Sequence, residues 1–183
     1  MKNTLMITLA LFLSITIINA QNNVKYVADK SVSYVTYAMS HPLHDWEGTS
    51  KDVNSALLLN PENKQIVKVA VVIPVSTFDS RNANRDSHMI EVLEGLKFPS
   101  INFTSTSIIN NGNKLSVVGD LIFHGVKKSI TFDAVTKTAD ETIEVSGTFV
   151  VKMSDFKIEN PSLMGMATKD EIGIKFFVVY KPK

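Results

Sequence analysis

From Val67 onward the chain alternates between apolar and polar positions with a period of two. Val67, Val69, Val71, Ile73 and Val75 alternate with Lys68, Ala70, Val72 and Pro74. Leu115 and Val117, then Leu121 and Phe123, repeat the pattern, as do Ile130, Phe132 and Ala134. Ile143, Val145, Phe149 and Val151 follow, and Ile172, Ile174, Phe176, Val178 and Tyr180 close the series. Alternation of this kind marks strands with one buried face. Turn signals separate them: Asn110-Asn111-Gly112-Asn113, where Asn-Gly tolerates positive φ, then His124 to Lys128, then Ala139-Asp140-Glu141. The spacing predicts eight or nine short strands in one domain, as a meandering barrel or a sandwich.

One stretch breaks the period. In RNANRDSHMIEVLEGLKFPSINF, Met89, Val92, Leu93 and Leu96 fall at i, i+3, i+4 and i+7 and share one helical face. Asn84 or Asp86 is the expected N-cap, and Gly95 stands near the end, ahead of Pro99. A short amphipathic helix of about ten residues is therefore expected between two strands. A sheet with a continuous apolar inner face must cover that face, and closing on itself does so while removing the edges. About eight strands leave an interior that side chains fill or that holds one small ligand.

The first twenty residues do not belong to this pattern. MKNTLMITLALFLSITIINA has one early lysine, an apolar core from Leu5 to Ile18 and a small residue at Ala20. It reads as a secretory signal, residues 1–20, leaving a mature domain of residues 21–183 in the periplasm or outside the cell. An uncleaved anchor is the alternative, although the apolar core is short for a span. No later segment has the length and apolarity to cross a bilayer, so an integral membrane protein is not expected.

Charge and composition narrow the chemistry. Loss of Lys2 with the leader leaves 18 basic and 18 acidic side chains, scattered rather than striped, which argues against nucleic acid. Cysteine is absent, so there is no thiol nucleophile, thiolate metal site or lipid-modified N-terminus. His41, His44 and Asp45 could begin a zinc site, but Pro42 intervenes and no helix aligns them; ordinary loop histidines are the simpler reading. There is no Gly-x-Ser-x-Gly elbow, and Ser87 and His88 diverge as neighbours on a helix. Asp140-Glu141 and Asp170-Glu171 read as solvated turn charges. No phosphate-cradling loop or dinucleotide fingerprint is present, so neither cofactor nor metal is expected. Arg85 and Asp86 admit two readings: a pair that recognises a polar head-group, or, preferred here, a helix cap with an ion pair that fixes the loop. Trp46, the single tryptophan, fits a barrel mouth or, more commonly, a filled core.

The order of motifs resembles the YceI-like family of secreted bacterial lipid-binding proteins, also described as polyisoprenoid-binding. SVSYVTYAMSH with the following EGTS, VVIPVSTFDSRNANRDSHM, FPSINFTSTSI, GDLIFHGVKKSITFDA and SDFKI occur in the family's order, covering Val24 to Tyr180. Two segments depart from it: Val92-Leu93-Glu94-Gly95, where the family usually has a Phe-containing stretch, and HPLHDWEG. The resemblance implies an all-β fold with one short helix: an antiparallel, eight-stranded, lipocalin-like barrel. Its lumen would hold a long apolar chain such as a polyisoprenoid, an isoprenoid quinone tail or a fatty-acid derivative.

A non-enzymatic lipid carrier is therefore expected. The candidate lumen residues are Val35, Tyr37, Met39, Val69, Val71, Ile73, Phe103, Phe123, Phe149 and Phe176. Choosing Val35, Tyr37 and Met39 over Val32 and Tyr34 is a decision about register, and a slip of one residue would invert every side chain. Arg85, Asp86 and His88 are assigned to the helix start at the mouth. Two rivals stand beside this reading: a filled barrel serving as a stress or protein-interaction module, and a small secreted hydrolase or isomerase. Pairing of two barrels into a homodimer is left open.

Overall fold

The computed structural model describes residues 22–183; the expected leader, Met1–Ala20, lies outside them. In chain order the strands are β1 (Val24–Ala28), β2 (Tyr34–His41), β3 (His44–Ser50), β4 (Asn54–Leu59) and β5 (Ile66–Pro74). The helix α1 (Ala83–Val92) follows, then β6 (Ser100–Asn111), β7 (Lys114–Phe123), β8 (Val126–Ala139) and β9 (Thr142–Lys152). A two-stranded ribbon, β10 (Ser162–Leu163) and β11 (Met166–Ala167), precedes the last strand, β12 (Glu171–Pro182).

All main-sheet pairings are antiparallel, and the sheet closes because β12 bonds to β9 on one side and to β1 and β2 on the other. β1 and β2 act as one wall broken at Asp29–Ser33, and β3 and β4 as the next, since β2 pairs with β3 and β1 with β4. The result is a closed eight-strand barrel with one short helix. The break is fastened by Asp29, whose carboxylate accepts from the Ser31 backbone N–H and Oγ–H and pairs with Lys181. These donors hold the Asp29 carboxyl down at about 2.

Two bulges alter the alternation. The register of β4 against β5 slips at Leu58/Leu59, so Ile66 faces inward and Val67 outward, opposite to the strict alternation expected for Val67. Asn110 holds the slipped strand by accepting from the Ile66 N–H and donating to its carbonyl. In β6 a second slip between Ser105 and Ser107 turns Ile108 inward and leaves Ile109 exposed. Asp170 is a turn carboxylate open to solvent, as expected, and also accepts from the Ser154 backbone N–H at 2.8 Å and Oγ–H at 2.6 Å, which lowers its pKa.

The interior has two zones. At the end bounded by the β4–β5, β6–β7 and β8–β9 turns, Leu57, Leu59, Ile66 and Ile143 are buried and fill the barrel. Above them Tyr180 donates from its hydroxyl to Ser55 Oγ, which donates in turn to the Ala70 carbonyl. Burial pushes the Tyr180 phenol up to about 12. Toward the other end, under α1, the barrel is hollow.

Candidate functional site

The hollow zone is a cavity of about 630 Å³, inside the range of ligand pockets. Its wall is built where period-two alternation points a side chain inward, from β2, β3, β5, β6, β7, β8, β9 and β12. Val35, Tyr37, Met39, Val69, Val71, Ile73, Phe103, Phe123, Phe149 and Phe176 all border it. The uncertain register of β2 is resolved: Val32 is 48% exposed, and Tyr34 stacks on Phe177 outside the barrel, ring centroids 5.8 Å apart.

Aromatic rings form one side of the cavity. Phe132 lies 4.8 Å from Phe149, 5.4 Å from Phe103 and 5.7 Å from Phe176, centroid to centroid. The cluster fits because Gly147 has no side chain. A Cβ there would stand 2.7 Å from Phe176 and 2.8 Å from the Asp133 carbonyl oxygen. Edge-to-face and offset ring pairs of this kind add to the gain from burial alone.

α1 covers this end, and its Met89 and Val92, with the C-cap residue Leu93, line the cavity. The N-cap is Asn82, not Asn84 or Asp86: its side-chain oxygen accepts from the Arg85 backbone N–H at 3.1 Å. Asp86 reaches back instead, accepting from the Ser80 backbone N–H at 3.1 Å and from Ser80 Oγ–H at 2.6 Å. It thus fixes the loop without pairing to Arg85. Leu96 is not part of the covering face, because the helix ends at Val92 and Leu96 is fully exposed. Beyond α1, Glu94 Oε2 meets His124 Nε2 at 2.9 Å, and the other ring nitrogen faces the Phe156 carbonyl at 3.1 Å. Phe98 packs edge-on to the same imidazole and over Gly125, whose φ of +72° and crowded α-carbon both require glycine. The covering helix is therefore tied to the barrel at both ends.

The rim carries polar groups, some of them from outside the strands. Trp46 stands at the mouth, not in a filled core, and the Arg85 guanidinium lies over its ring at 5.2 Å. Among the described residues no carboxylate lies within ion-pair distance of Arg85. His88 borders the cavity and reaches Glu91 at 3.5 Å. His44 lies 5.3 Å from Trp46 and 5.6 Å from His41. His41 accepts from the Leu43 N–H through Nδ1 and donates from Nε2 to the Met166 carbonyl. No group of three or more metal-ligating side chains gathers among the described residues. Tyr37 reaches toward the rim, and its phenol pKa is raised by burial first and by the Asp86 carboxylate second. Thr168, Asn82 and Asn84 also line the cavity; Thr168 and the N-cap Asn82 sit in loops whose sequence has no period to mark them, and Asn84 is in the first turn of α1.

What this arrangement does best is exclude water from a long apolar object. The lining is overwhelmingly aliphatic and aromatic, and apart from the Tyr180 hydroxyl, which is bonded to Ser55, its polar side chains lie toward the end under α1.

Known proteins share this architecture. The barrel of BcnA from Burkholderia cenocepacia superimposes with a TM-score of 0.75 at 22% identity, covering 83% of this chain and 98% of that one. A polyisoprenoid binding domain from Saccharophagus degradans, implicated in plant cell wall breakdown, gives a TM-score of 0.71 at 14% identity, over 87% of this chain and 99% of its own. In sequence, Protein YceI of Salmonella newport is 33% identical over 136 residues, 73% of this chain and 71% of the relative. The YceI-like domain model matches residues 26–180, from within β1 to within β12 and so across the whole barrel and its covering helix; the chain belongs to the YceI-like family.

Proposed function

We propose that this protein is an exported carrier that holds one long apolar chain in its barrel and performs no bond chemistry on it. The chain would be a polyisoprenoid, an isoprenoid quinone or a fatty-acid derivative. The apolar cavity capped by α1 is the observation that carries the reading. Each methylene moved from water into such a lining contributes roughly 0.8 kcal/mol, so a dozen carbons hold a ligand without any polar contact. The polyisoprenoid binding domain of Saccharophagus degradans, which shares the fold, supports the same ligand class. The N-terminal leader supports export to the periplasm or beyond. The cavity weighs against the filled-barrel module, and an apolar wall offers a hydrolase or isomerase little to work with.

Native mass spectrometry of protein secreted by its own host tests the proposal, followed by solvent extraction and lipid identification. A stoichiometric apolar adduct is expected. A clean apo mass that persists when isoprenoids and fatty acids are offered would overturn it.

A further inference from the structure

The cavity ends on a braced floor. Tyr180 on β12 donates its hydroxyl to Ser55 on β4 at 2.7 Å, and β1 runs between those two strands, so one side chain reaches across three. Ala28, the register partner of Tyr180 on β1, sets only a methyl group against that crossing. Ser55 Oγ–H donates in turn to the Ala70 carbonyl at 2.9 Å, which carries the brace to β5. Tyr180 borders the cavity, whereas Leu57, Leu59, Ile66 and Ile143, buried in the filled end, do not. A tail pushed past the bar would have to break its hydrogen bond, leave a buried hydroxyl unpaired and then open a close-packed zone.

The floor limits how much chain the barrel can take. A dry cavity of about 150 Å³ in a protein interior holds one benzene, roughly 25 Å³ per carbon. At that density the cavity of about 630 Å³ accommodates on the order of 20 to 25 carbons, whereas a chain of eight isoprene units would need about 1,000 Å³. We propose that Tyr180, braced on Ser55, is the stop for the inserted tail and matches the barrel to single chains of about four or five isoprene units, or straight chains of the same carbon count. This rests on the carrier reading above and adds the length of the ligand. Carbons beyond that count stay at the end under α1 or in water, where they add nothing to affinity.

The test uses even-numbered straight-chain alcohols from dodecanol to triacontanol, delivered from cyclodextrin, as displacers of a fluorescent fatty-chain probe. In wild type each two-carbon step should tighten binding severalfold until the gain stops at about 20 to 25 carbons. Tyr180→Ala removes the bar and should move that limit to longer chains. Val69→Phe, on β5 opposite Leu57 in register, thickens the wall beside the floor and should move it to shorter ones. If Tyr180→Ala does not fold, Val69→Phe alone decides. Gain that continues undiminished to triacontanol would overturn the inference and leave the carrier reading intact. A limit that no folded variant moves would overturn the floor as the stop. Failure of every alcohol to displace the probe from wild type would remove the carrier reading, and this inference with it.

Discussion

Asp86 and Asn82 divide between them a task that the lead-in to α1 suggests for one residue. Asn82 accepts the orphan backbone N–H of Arg85, whereas Asp86 anchors Ser80 through both its N–H and its hydroxyl. Chemical denaturation should therefore rank the two. Asn82→Ala should cost about 1 kcal/mol, as a lost cap does. Asp86→Ala should cost about 2 kcal/mol, because it removes hydrogen bonds to a charged acceptor. Equal costs would mean that Asp86 acts only on the helix dipole. Tyr180 supplies a second test. Its phenol is raised from 10.0 to about 12, so its stabilising effect is complete below the unfolded value and disappears as pH rises through 12. Tyr180→Phe leaves Ser55 still donating to Ala70, so at neutral pH it should cost about 1 kcal/mol. Its alkaline unfolding, followed by circular dichroism, should move to higher pH than in wild type.

The elements were readable from the chain to different degrees, for physical reasons. Period-two runs such as Ile172 to Tyr180 named their buried face directly, because each strand has core on one side only. The same rule failed at Val67 and could not choose between Ile108 and Ile109, because a bulge changes parity without any mark in the apolar pattern. The helix was legible in length but not in its last turn: Leu96 continues the apolar spacing, yet Glu94 turns the chain to positive φ before it. That turn is what Glu94 and His124 hold. His124→Ala should free the end of α1 while sparing the barrel. Hydrogen exchange at Leu93 to Phe98 should accelerate by tenfold or more, with β7 and β12 unchanged. Faster exchange across all strands would instead make His124 part of the global fold.

At the scale of the whole molecule, the barrel wall was visible in the sequence, whereas of the rim only Arg85 and His88 were placed there, with Trp46 as one of two options. All ten inward candidates border the cavity, since alternation and closure together decide where they point. His41 and Trp46 stand where β2 ends and β3 begins, and Asn82 and Thr168 come from loops; their surroundings depend on contacts distant in sequence, such as that of His41 with Met166. Acid sensitivity is likewise a property of the assembled barrel. The Asp29 carboxyl is held at about 2 by Lys181 and Ser31, and those of Asp52 and Asp170 are lowered by Lys30 and Ser154. A depressed carboxylate stabilises the fold above its unfolded value, here 3.8, and stops doing so as pH falls through the folded one. Stability measured by denaturant midpoint should therefore hold at pH 5 and decline between about pH 4 and 2. Ala134, small and facing the cavity, offers a test of the hollow itself. Ala134→Leu should occupy part of it, leaving the melting temperature unchanged or higher while weakening uptake of long chains more than short ones. The floor of the barrel is filled, so the cavity extends toward the end that α1 covers. On the carrier reading proposed above, a chain that loads tail-first through the α1 end would leave head-first by the same end. A recipient membrane or enzyme would then meet the polar end before any carbon of the tail is bared to water, which makes the direction of delivery a property of the tube.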